Sequence, residues 1–233
     1  MWVPTPQELV DKMLEMAKVT SNDFVIDLGS GDGRTVISAA KLGARALGVE
    51  YNPDMVSLSK ENAVKDSVSD RAEFIQADLY VTDLSKATVI TMFLLPEINL
   101  KLRPRLLDLK PGTRIVSNTF NMAEWQADQE ATTEENWNSW NTAYLWIVPA
   151  KVDGLWKLGN GELNLTQEFQ FINGTFTSGG KSDTITDGRL RGDSISFSIG
   201  IEKYTGTAGD KIIKGTATNV AKGSKWDWIA TKQ

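Results

Sequence analysis

Over the first 149 residues, short apolar segments alternate with amphipathic helical segments, and this alternation restricts the fold more than any other feature. Apolar runs of four to eight residues predict buried strands, and apolar residues at helical spacing predict helices between them. The predicted strands are 24–28, 45–50, 72–76, 88–94 and 113–120, and the predicted helices are 35–42, 53–65 and 97–109. Strands separated by helices of this length indicate an α/β fold with a doubly wound sheet. A late segment, 144–148, predicts an antiparallel strand at the end of that sheet.

A further helix is predicted before the first strand. Thr5 is placed as its N-cap, Pro6 as its first residue and Glu8 as the partner of the cap, which together form a capping box. The apolar residues that follow recur at helical spacing and are expected to face the sheet: Leu9, Val10, Met13, Leu14 and Ala17.

From Lys151 onward the apolar spacing changes to two, which is the period of a strand. One predicted strand has Leu163, Leu165, Phe169 and Phe171 on a single face, and another has Ile195, Phe197, Ile199 and Ile201. Tight turns are expected at Asn173-Gly174, Gly192-Asp193 and Gly209-Asp210. We predict an antiparallel β-barrel or half-barrel of six to eight strands, with Trp156, Trp226 and Trp228 in its core. The expected domains are therefore 1–149 and 150–233.

Composition excludes several kinds of chemistry. The chain has no cysteine and no histidine, so disulfides, thiolate nucleophiles, Ser-His-Asp triads and the usual zinc ligands are ruled out, and we expect no metal. Residues 1–149 carry 14 basic against 21 acidic side chains, whereas residues 150–233 carry 11 against 9. The acidic first part argues against nucleic acid as a partner, because such partners demand a basic face, and it favours a basic substrate.

The apolar runs and the N-terminal residues bear on where in the cell the protein lies. No apolar run is long enough to cross a bilayer, so no membrane partner is expected, and the residues from Met1 to Pro4 lack the features of a signal peptide. We therefore expect a cytoplasmic protein. A chain from which a signal peptide had been removed would look the same, which leaves a periplasmic location open.

A glycine-rich turn follows the first predicted strand and leads into a helix. It reads Asp27-Leu28-Gly29-Ser30-Gly31-Asp32-Gly33-Arg34. Glycines allow a tight turn and a close approach of backbone to ligand, and the helix N-terminus favours an anionic group. The dinucleotide fingerprint requires a glycine where Arg34 stands, so the pattern points away from NAD. We place Arg34 at the surface or the helix start.

Two further carboxylates follow neighbouring strands. Glu50 ends the second strand, where it could accept both hydroxyls of a ribose, and Asp78 follows the third, where it could accept from an adenine amino group. With Asp27 they lie at the carboxyl ends of three successive strands, which is where open α/β sheets bind ligands.

These motifs carry a resemblance. DLGSGDGR, GVEYNP and QADL resemble the cofactor-binding motifs of class I (seven-β-strand) S-adenosylmethionine-dependent methyltransferases, which have a Rossmann-like fold. VPTP, ATVITMFLLP and LKPGTRIVSNTF resemble the archaeal broad-specificity and mitochondrial protein-lysine methyltransferases. The resemblance covers residues 3–149 and implies S-adenosylmethionine as cofactor. The cofactor-binding residues that it implies are Asp27, Gly29, Ser30, Gly31, Gly33, Glu50, Tyr51, Asp78 and Leu79.

The resemblance further implies an enzyme that methylates an amine, with the ε-amine of a protein lysine as the leading acceptor. The residues identify no certain base; Thr5, Glu97 and Asn118 are candidates. The family's Ser-[His or Cys]-x-Phe segment reads Ser117-Asn118-Thr119-Phe120 here. This difference leaves the identity of the acceptor open. Two alternatives stay open: a small-molecule N- or O-methyltransferase, and a non-catalytic binding protein whose β domain is the functional part. In the enzyme, the β domain would steer substrate or form a homo-oligomer.

Apolar and aromatic side chains near the predicted site have two interpretations. Residues 92–95 are expected mainly in the core, with one of them lining a substrate channel. Trp125, Trp137, Trp140 and Trp146 could form a substrate lid or pack between the domains.

Overall fold

The chain folds into two compact units, each with its own hydrophobic core. The structure is a computed structural model that describes residues 3–134 and 140–233. The first unit comprises residues 1–109 and 113–147, and the second comprises 110–112 and 148–233. Within the described residues, no helix combines the length and the apolar character needed to cross a membrane.

The first unit is a seven-stranded mixed sheet with helices. Its strands are β1 (Phe24–Leu28), β2 (Arg45–Glu50), β3 (Ala72–Gln76), β4 (Val89–Met92), β5 (Arg114–Asn118), β6 (Gln129–Thr132) and β7 (Thr142–Ile147). Its helices are α1 (Gln7–Met16), α2 (Arg34–Lys41), α3 (Pro53–Lys65) and α4 (Pro96–Leu107). The strand order is β3-β2-β1-β4-β5-β7-β6, and β1 to β5 pair in parallel. The doubly wound sheet predicted from the alternation is confirmed.

The strand order reverses beside β1, and this reversal creates the crevice in which such sheets bind ligands. β1 pairs with β2 on one side and with β4 on the other. Asp27 lies opposite Thr91 of β4 at the carboxyl end of this pair. The topology therefore brings the ends of β1, β2 and β4 to one edge of the sheet.

Two expectations for this unit were wrong. The structure gives α1 no side-chain cap: Pro6 stands at the N-cap position, and the first helical bond runs from Val10 N to Pro6 O. The hydroxyl of Thr5 instead accepts a hydrogen bond from Asn118, because a tertiary donor lies within reach. The late strand β7 is antiparallel to β5 as predicted, but β6 lies beyond it and forms the sheet end. The sequence of β6, Gln-Glu-Ala-Thr, lacks the apolar residues that would have revealed a strand.

The second unit is a closed antiparallel barrel of eight strands, which confirms the predicted small barrel. Its strands are β8 (Gly154–Leu158), β9 (Gly161–Glu168), β10 (Phe171–Ser178), β11 (Lys181–Arg191), β12 (Ser194–Ile199), β13 (Glu202–Ala208), β14 (Ile212–Asn219) and β15 (Lys225–Lys232). Its interior is packed with side chains. Phe197 stacks on Tyr204 at 5.0 Å between ring centroids, and Trp228 meets Phe197 edge-on at 5.6 Å. Trp156 and Trp228 are buried as expected, whereas Trp226 is 37% exposed.

Three details of the barrel prediction were wrong. Residues 163–171 are not one strand, because Phe169 has a φ of +53° and turns the chain between β9 and β10. Ile201 lies in the turn after β12 and is 59% exposed, so it does not share the buried face of Ile195, Phe197 and Ile199. The expected turn at Asn173-Gly174 is absent, since both residues belong to β10. Turns do lie at Gly192-Asp193 and at Gly209-Asp210.

Gly174 is required by close contact between strands. The register of β10 against β11 shifts between Ile172 and Thr175, which marks a bulge. Gly174 has a φ of +149°, and a Cβ on it would lie 2.0 Å from the carbonyl oxygen of Asn164 on β9. A side chain would therefore push two paired strands apart.

We predict that Gly174→Ala destabilises the barrel by roughly 3 kcal/mol, because backbone strain and overpacking add. The matched control is Gly179→Ala, which shares a positive φ of 57° but meets nothing within 4 Å. It should cost only about 1 kcal/mol, from the left-handed backbone alone. Urea denaturation with peptide-resolved hydrogen exchange over residues 161–178 measures both. Equal losses in the two variants would contradict the contact argument.

Candidate functional site

The glycine turn after β1 has a backbone that other residues resist. Gly29, Gly31 and Gly33 have φ values of +78°, +54° and +83°, a region that costs other L-residues about 1–2 kcal/mol each. The amides of Gly29 and Ser30 both donate to the carbonyl oxygen of Val49 on β2, at 2.8 and 3.2 Å. The turn is therefore fixed against the end of the neighbouring strand.

Glu50 faces this turn with both carboxylate oxygens held. Oε2 accepts from the amide of Gly31 at 3.0 Å, and Oε1 accepts from the amide of Asn52 at 2.9 Å. Each carboxylate oxygen has more than one lone pair, so Glu50 retains acceptor capacity for a ligand. Asn52 also caps α3, because its Oδ1 accepts from the amide of Asp54 at 2.9 Å. Asn52 thus links the N-terminus of α3 to the carboxylate of Glu50.

Asp27 is buried at the end of β1. Its Oδ1 accepts from Thr91 Oγ1 at 2.7 Å. Burial raises the pKa of Asp27 from 3.8 to about 7; the bond from Thr91 opposes this shift, and the nearby carboxylates of Glu50 and Asp32 add to it. Near neutral pH the carboxyl group therefore changes charge readily. A cationic ligand would stabilise its ionised form.

The turn after β3 carries the remaining predicted carboxylate. Asp78 and Tyr51 are exposed, and Asp78 Oδ1 accepts from the amide of Tyr80 at 2.7 Å. Arg105 of α4 donates to the carbonyl oxygens of Leu79 (3.1 Å), Tyr80 and Thr82 (2.7 Å). No sequence signal indicated this role of Arg105, because a basic residue late in a helix usually interacts with the helix end.

A cavity of about 340 Å³ lies at the carboxyl edge of the sheet. Thr5, Asp27, Gly29 and Ser30 contribute to its walls. The other lining residues are Val3, Pro4, Met13, Asp32, Arg34, Thr35, Met92, Phe93, Leu94, Leu95, Phe120 and Trp140. All of residues 92–95 line the cavity, rather than the single one that was expected.

The other two candidate bases do not line this cavity. Glu97 is exposed in the first turn of α4. Asn118 is buried and donates through Nδ2 to Thr5 Oγ1 at 3.2 Å.

Three aromatic side chains form a continuous wall of this cavity, which we call the aromatic wall. The rings of Phe93 and Phe120 stack with centroids 6.1 Å apart, and Phe93 meets Trp140 edge-on at 5.9 Å. The wall is half-buried, and its only side-chain hydrogen-bonding group is the indole N–H of Trp140. The sequence raised Trp140 as part of a substrate lid and one of residues 92–95 as part of a substrate channel, but it did not indicate Phe120 or the contact between the three rings, because they come from three separate segments.

The tryptophans of the irregular segment have different environments. Trp140 belongs to the aromatic wall, whereas Trp125 and Trp146 are fully buried and lie 6.1 Å apart. Trp146 Nε1 donates to the carbonyl oxygen of Trp125 at 2.7 Å. Trp137 lies outside the described residues.

Arg34 has a larger role than a surface residue. It begins α2, as predicted, and its guanidinium bonds the carboxylate of Asp32, with a shortest distance of 2.7 Å. It also donates to the carbonyl oxygen of Thr5 at 2.9 Å. Arg34 therefore ties the segment before α1 to the glycine turn.

A larger groove of about 1,020 Å³ runs between α1, α2 and α3. Its lining is dominated by charged side chains on helix surfaces, such as Lys18, Lys41, Lys65 and Asp66. Lys41 and Asp66 already form an ion pair at 3.0 Å. We assign the function to the smaller cavity, because its lining includes Gly29 and Ser30 of the glycine turn, the buried carboxyl group of Asp27 and the aromatic wall. The other predicted cofactor-binding residues are not among its lining residues: Gly31, Gly33, Glu50, Tyr51, Asp78 and Leu79.

The chain is similar to known methyltransferases. The profile of the ANTKMT methyltransferase domain matches residues 27–129. A protein-lysine N-methyltransferase of Saccharolobus islandicus is 43% identical over 150 residues, which are 63% of this chain and 92% of that protein. The adenine nucleotide translocase lysine N-methyltransferase of Mus musculus is 36% identical over 104 residues, which are 44% of this chain and 45% of that protein. The chain thus spans nearly all of the archaeal relative and less than half of the mouse one.

A similar solved structure contains the demethylated form of the cofactor. The crystal structure of an RNA methyltransferase from Salinibacter ruber, in complex with S-adenosyl-L-homocysteine, is 46% identical. The match covers 64% of this chain and 96% of that one, with a TM-score of 0.61. S-Adenosylhomocysteine is what S-adenosylmethionine becomes once its methyl group has been transferred.

The groups at the carboxyl edge of the sheet fit such a cofactor. Asp27 supplies a buried carboxyl group for a cationic centre, and Glu50 keeps lone pairs beside the glycine turn. The Oγ of Ser30 is buried and has no hydrogen-bond partner within the described ranges 3–134 and 140–233. A Cβ on Gly29 would lie 3.0 Å from Leu94 Cδ2, so a side chain at this position would crowd the cavity wall. From this agreement between site and relatives, we conclude that the chain belongs to the protein-lysine N-methyltransferase family of class I S-adenosylmethionine-dependent enzymes.

Proposed function

We propose that the protein transfers a methyl group from S-adenosylmethionine to the ε-amine of a lysine in a protein acceptor. The observation that carries this proposal is the aromatic wall, Phe93, Phe120 and Trp140, which lines the same cavity as Gly29 and Ser30 at the start of the glycine turn. An aliphatic lysine stem packs favourably on ring faces. The archaeal and mouse relatives are both named for lysine methylation.

The residues that we propose to bind the cofactor are those at the ends of β1, β2 and β3. The backbone of Gly29, Ser30, Gly31 and Gly33 forms the turn against which the cofactor lies, and Asp27 attracts its positive charge. Glu50 accepts the ribose hydroxyls, since its carboxylate is already oriented by two amides. Tyr51, Asp78 and Leu79 then border the adenine.

The chain's own contribution to catalysis is positioning and exclusion of water. When bound, S-adenosylmethionine supplies a methyl group whose bond to a positively charged sulfur is exchanged for a bond to the acceptor nitrogen. The aromatic wall lowers the pKa of an entering lysine by desolvating its charged form, which frees the nitrogen lone pair. The proton released from the amine passes to water at the cavity mouth. Thr5, held by Asn118 and Arg34, borders the acceptor, and no dedicated base is required.

We further propose that 1–149 is the methyltransferase domain and 150–233 a separate β domain. Separate cores support this division: one is built around α1, α2 and the sheet, and the other fills the barrel. Catalysis then depends on residues of the first domain.

The proposal is tested by methyl transfer from S-adenosylmethionine with a radiolabelled methyl group to four acceptors. These are a lysine-containing peptide with a blocked N-terminus, the same peptide with arginine in place of lysine, a small polyamine, and RNA. We expect label in the lysine peptide alone, recovered as methyl-lysine after hydrolysis. RNA is included because one similar structure is named an RNA methyltransferase. Label in RNA or only in the polyamine would refute the lysine assignment.

Asp27→Asn should raise stability at pH 8 and lower the affinity for S-adenosylmethionine. The unfolded carboxyl group ionises near pH 3.8 while the folded one keeps its proton to about pH 7, so this group's contribution to stability falls as the pH rises between those values. At pH 8 the variant should be more stable than wild type by roughly 2–4 kcal/mol, and the gap should vanish near pH 4. Its affinity for S-adenosylmethionine should fall, because the carboxylate charge is lost. Thermal unfolding across pH and calorimetric titration measure the two effects.

The matched control for Asp27→Asn is Asp70→Asn, at an exposed position outside the cavity lining. It should leave affinity unchanged and show no comparable pH-dependent gain. A stability gap of the same size at pH 4 and pH 8 in the Asp27 variant would show that burial of its charge is not the cause.

Glu50→Gln should weaken cofactor binding at least tenfold. Glutamine keeps one acceptor oxygen but loses the charge, and charge-assisted hydrogen bonds contribute roughly 1.5–3 kcal/mol. Calorimetric titration with S-adenosylhomocysteine provides the measurement. Glu73→Gln, exposed on the neighbouring strand β3, serves as control. An unchanged dissociation constant in Glu50→Gln would remove Glu50 from the binding site.

A further inference from the structure

The chain makes an unusual turn where β5 ends at the cavity. Thr119 has a φ of +61°, which is rare for a β-branched residue. The amide of Phe120 donates to the carbonyl oxygen of Asn118 at 2.7 Å, which closes a three-residue γ-turn around Thr119. Residues in such strained conformations are destabilising and persist only where the surroundings enforce them.

Buried side chains enforce this turn. Ser117 Oγ donates to the carbonyl oxygen of Phe120 at 2.7 Å, and Asn99 Nδ2 of α4 donates to the same oxygen at 3.2 Å. Asn99 Nδ2 also lies 3.4 Å from the carbonyl oxygen of Asn121. On the other side, the amide of Thr119 donates to Thr142 O at 2.7 Å. Three elements, α4, β5 and the start of β7, therefore meet at one strained residue.

Asn99 lowers the stability of the fold relative to an apolar residue at the same position. Its side chain is fully buried, and its Oδ1 has no hydrogen-bond partner within the part of the chain that the structure describes. An unsatisfied buried oxygen is destabilising, and an apolar side chain of similar size would avoid that loss. What asparagine adds is its amide donor, which reaches the carbonyl oxygens of Phe120 and Asn121.

The γ-turn sets the position of the Phe120 ring. This ring lines the cavity and stacks on Phe93, which in turn meets Trp140. Asn118, inside the same turn, accepts from Thr119 Oγ1 at 2.8 Å and donates to Thr5. One strained turn thus places two walls of the cavity, the aromatic wall and Thr5.

We propose that Asn99 and Ser117 are positioning residues for methyl transfer, because they hold the γ-turn at Thr119 that orients Phe120 against the acceptor. This inference rests on the proposed function only in assigning the acceptor to the aromatic wall. Neither residue lines the cavity, and both act through the carbonyl oxygen of Phe120. Their loss should alter turnover of the acceptor and leave the cofactor-binding groups in place.

The test uses Asn99→Leu and Ser117→Ala in the full chain. For Asn99→Leu we expect thermal stability equal to or above wild type and a dissociation constant for S-adenosylhomocysteine within about twofold of wild type. Turnover of the acceptor should fall about tenfold or more, since misplacement by about 1 Å can cost roughly a hundredfold in rate. Ser117→Ala should show the same pattern with a smaller fall. A merely structural role would lower stability and affect cofactor binding and turnover together.

A matched control is Thr88→Val at the opposite, amino-terminal edge of the sheet. Thr88 Oγ1 accepts from the amide of Phe24 at 2.9 Å and donates to Asp23 Oδ1 at 2.7 Å, so the variant loses a comparable polar network far along the strands from the cavity. It should lower stability while turnover at a permissive temperature stays at the wild-type rate.

A second measurement needs no acceptor. In protein labelled with fluorophenylalanine, the Phe120 resonance, assigned with Phe120→Leu, should shift or broaden in Asn99→Leu because the ring loses its fixed position. An unchanged resonance, or wild-type turnover in Asn99→Leu, would overturn the inference. If wild type methylates an acceptor other than lysine, the proposed function fails, while the Asn99 comparison is made on that acceptor and still decides the inference.

Discussion

The left-handed backbone between β1 and α2 is the constraint on which the rest of the site depends. Gly29, Gly31 and Gly33 all have positive φ, and the turn is bonded to the end of β2 through Val49 O and the Glu50 carboxylate. Those bonds fix the ends of β1 and β2 relative to each other. The cavity, the buried carboxyl group of Asp27 and the start of α2 follow from that arrangement.

Burial of Asp27 gives the site its electrostatic character. A carboxyl group with a pKa of about 7 is held where its charge is destabilising without a ligand, and two nearby carboxylates increase that effect. Stability at neutral pH is thus lower than an uncharged residue would give, and a positively charged ligand would offset that loss. The other side of the cavity is apolar and aromatic, which suits an acceptor that reacts only in its neutral form.

The two sides of the cavity are supported differently. The side at the ends of β1 and β2 depends mainly on backbone geometry and on carboxylates at strand ends, whereas the side with the aromatic wall depends on buried amides and hydroxyls behind it. Arg34 and Asn118 connect the two sides through Thr5, by its carbonyl oxygen and its hydroxyl respectively. Asn118 donates to the Thr5 hydroxyl and accepts from the Thr119 hydroxyl. The segment before α1 therefore lines the cavity, and Thr5 does not cap the helix.

The sequence by itself determined the alternation of helices and strands from α1 to β5, the change to a small barrel after residue 150, and the glycine turn with its neighbouring carboxylates. These features are local: apolar periodicity, glycine conformation and strand ends depend on residues close together in the chain. The aromatic wall, the support of the turn after β3 by Arg105 and the γ-turn held by Asn99 were decided only by the tertiary structure. Phe93, Phe120 and Trp140 are far apart in sequence, and Asn99 acts on a peptide 21 residues away. Only the crossover topology of the sheet, which brings β4, β5 and α4 to one edge, places these groups in contact.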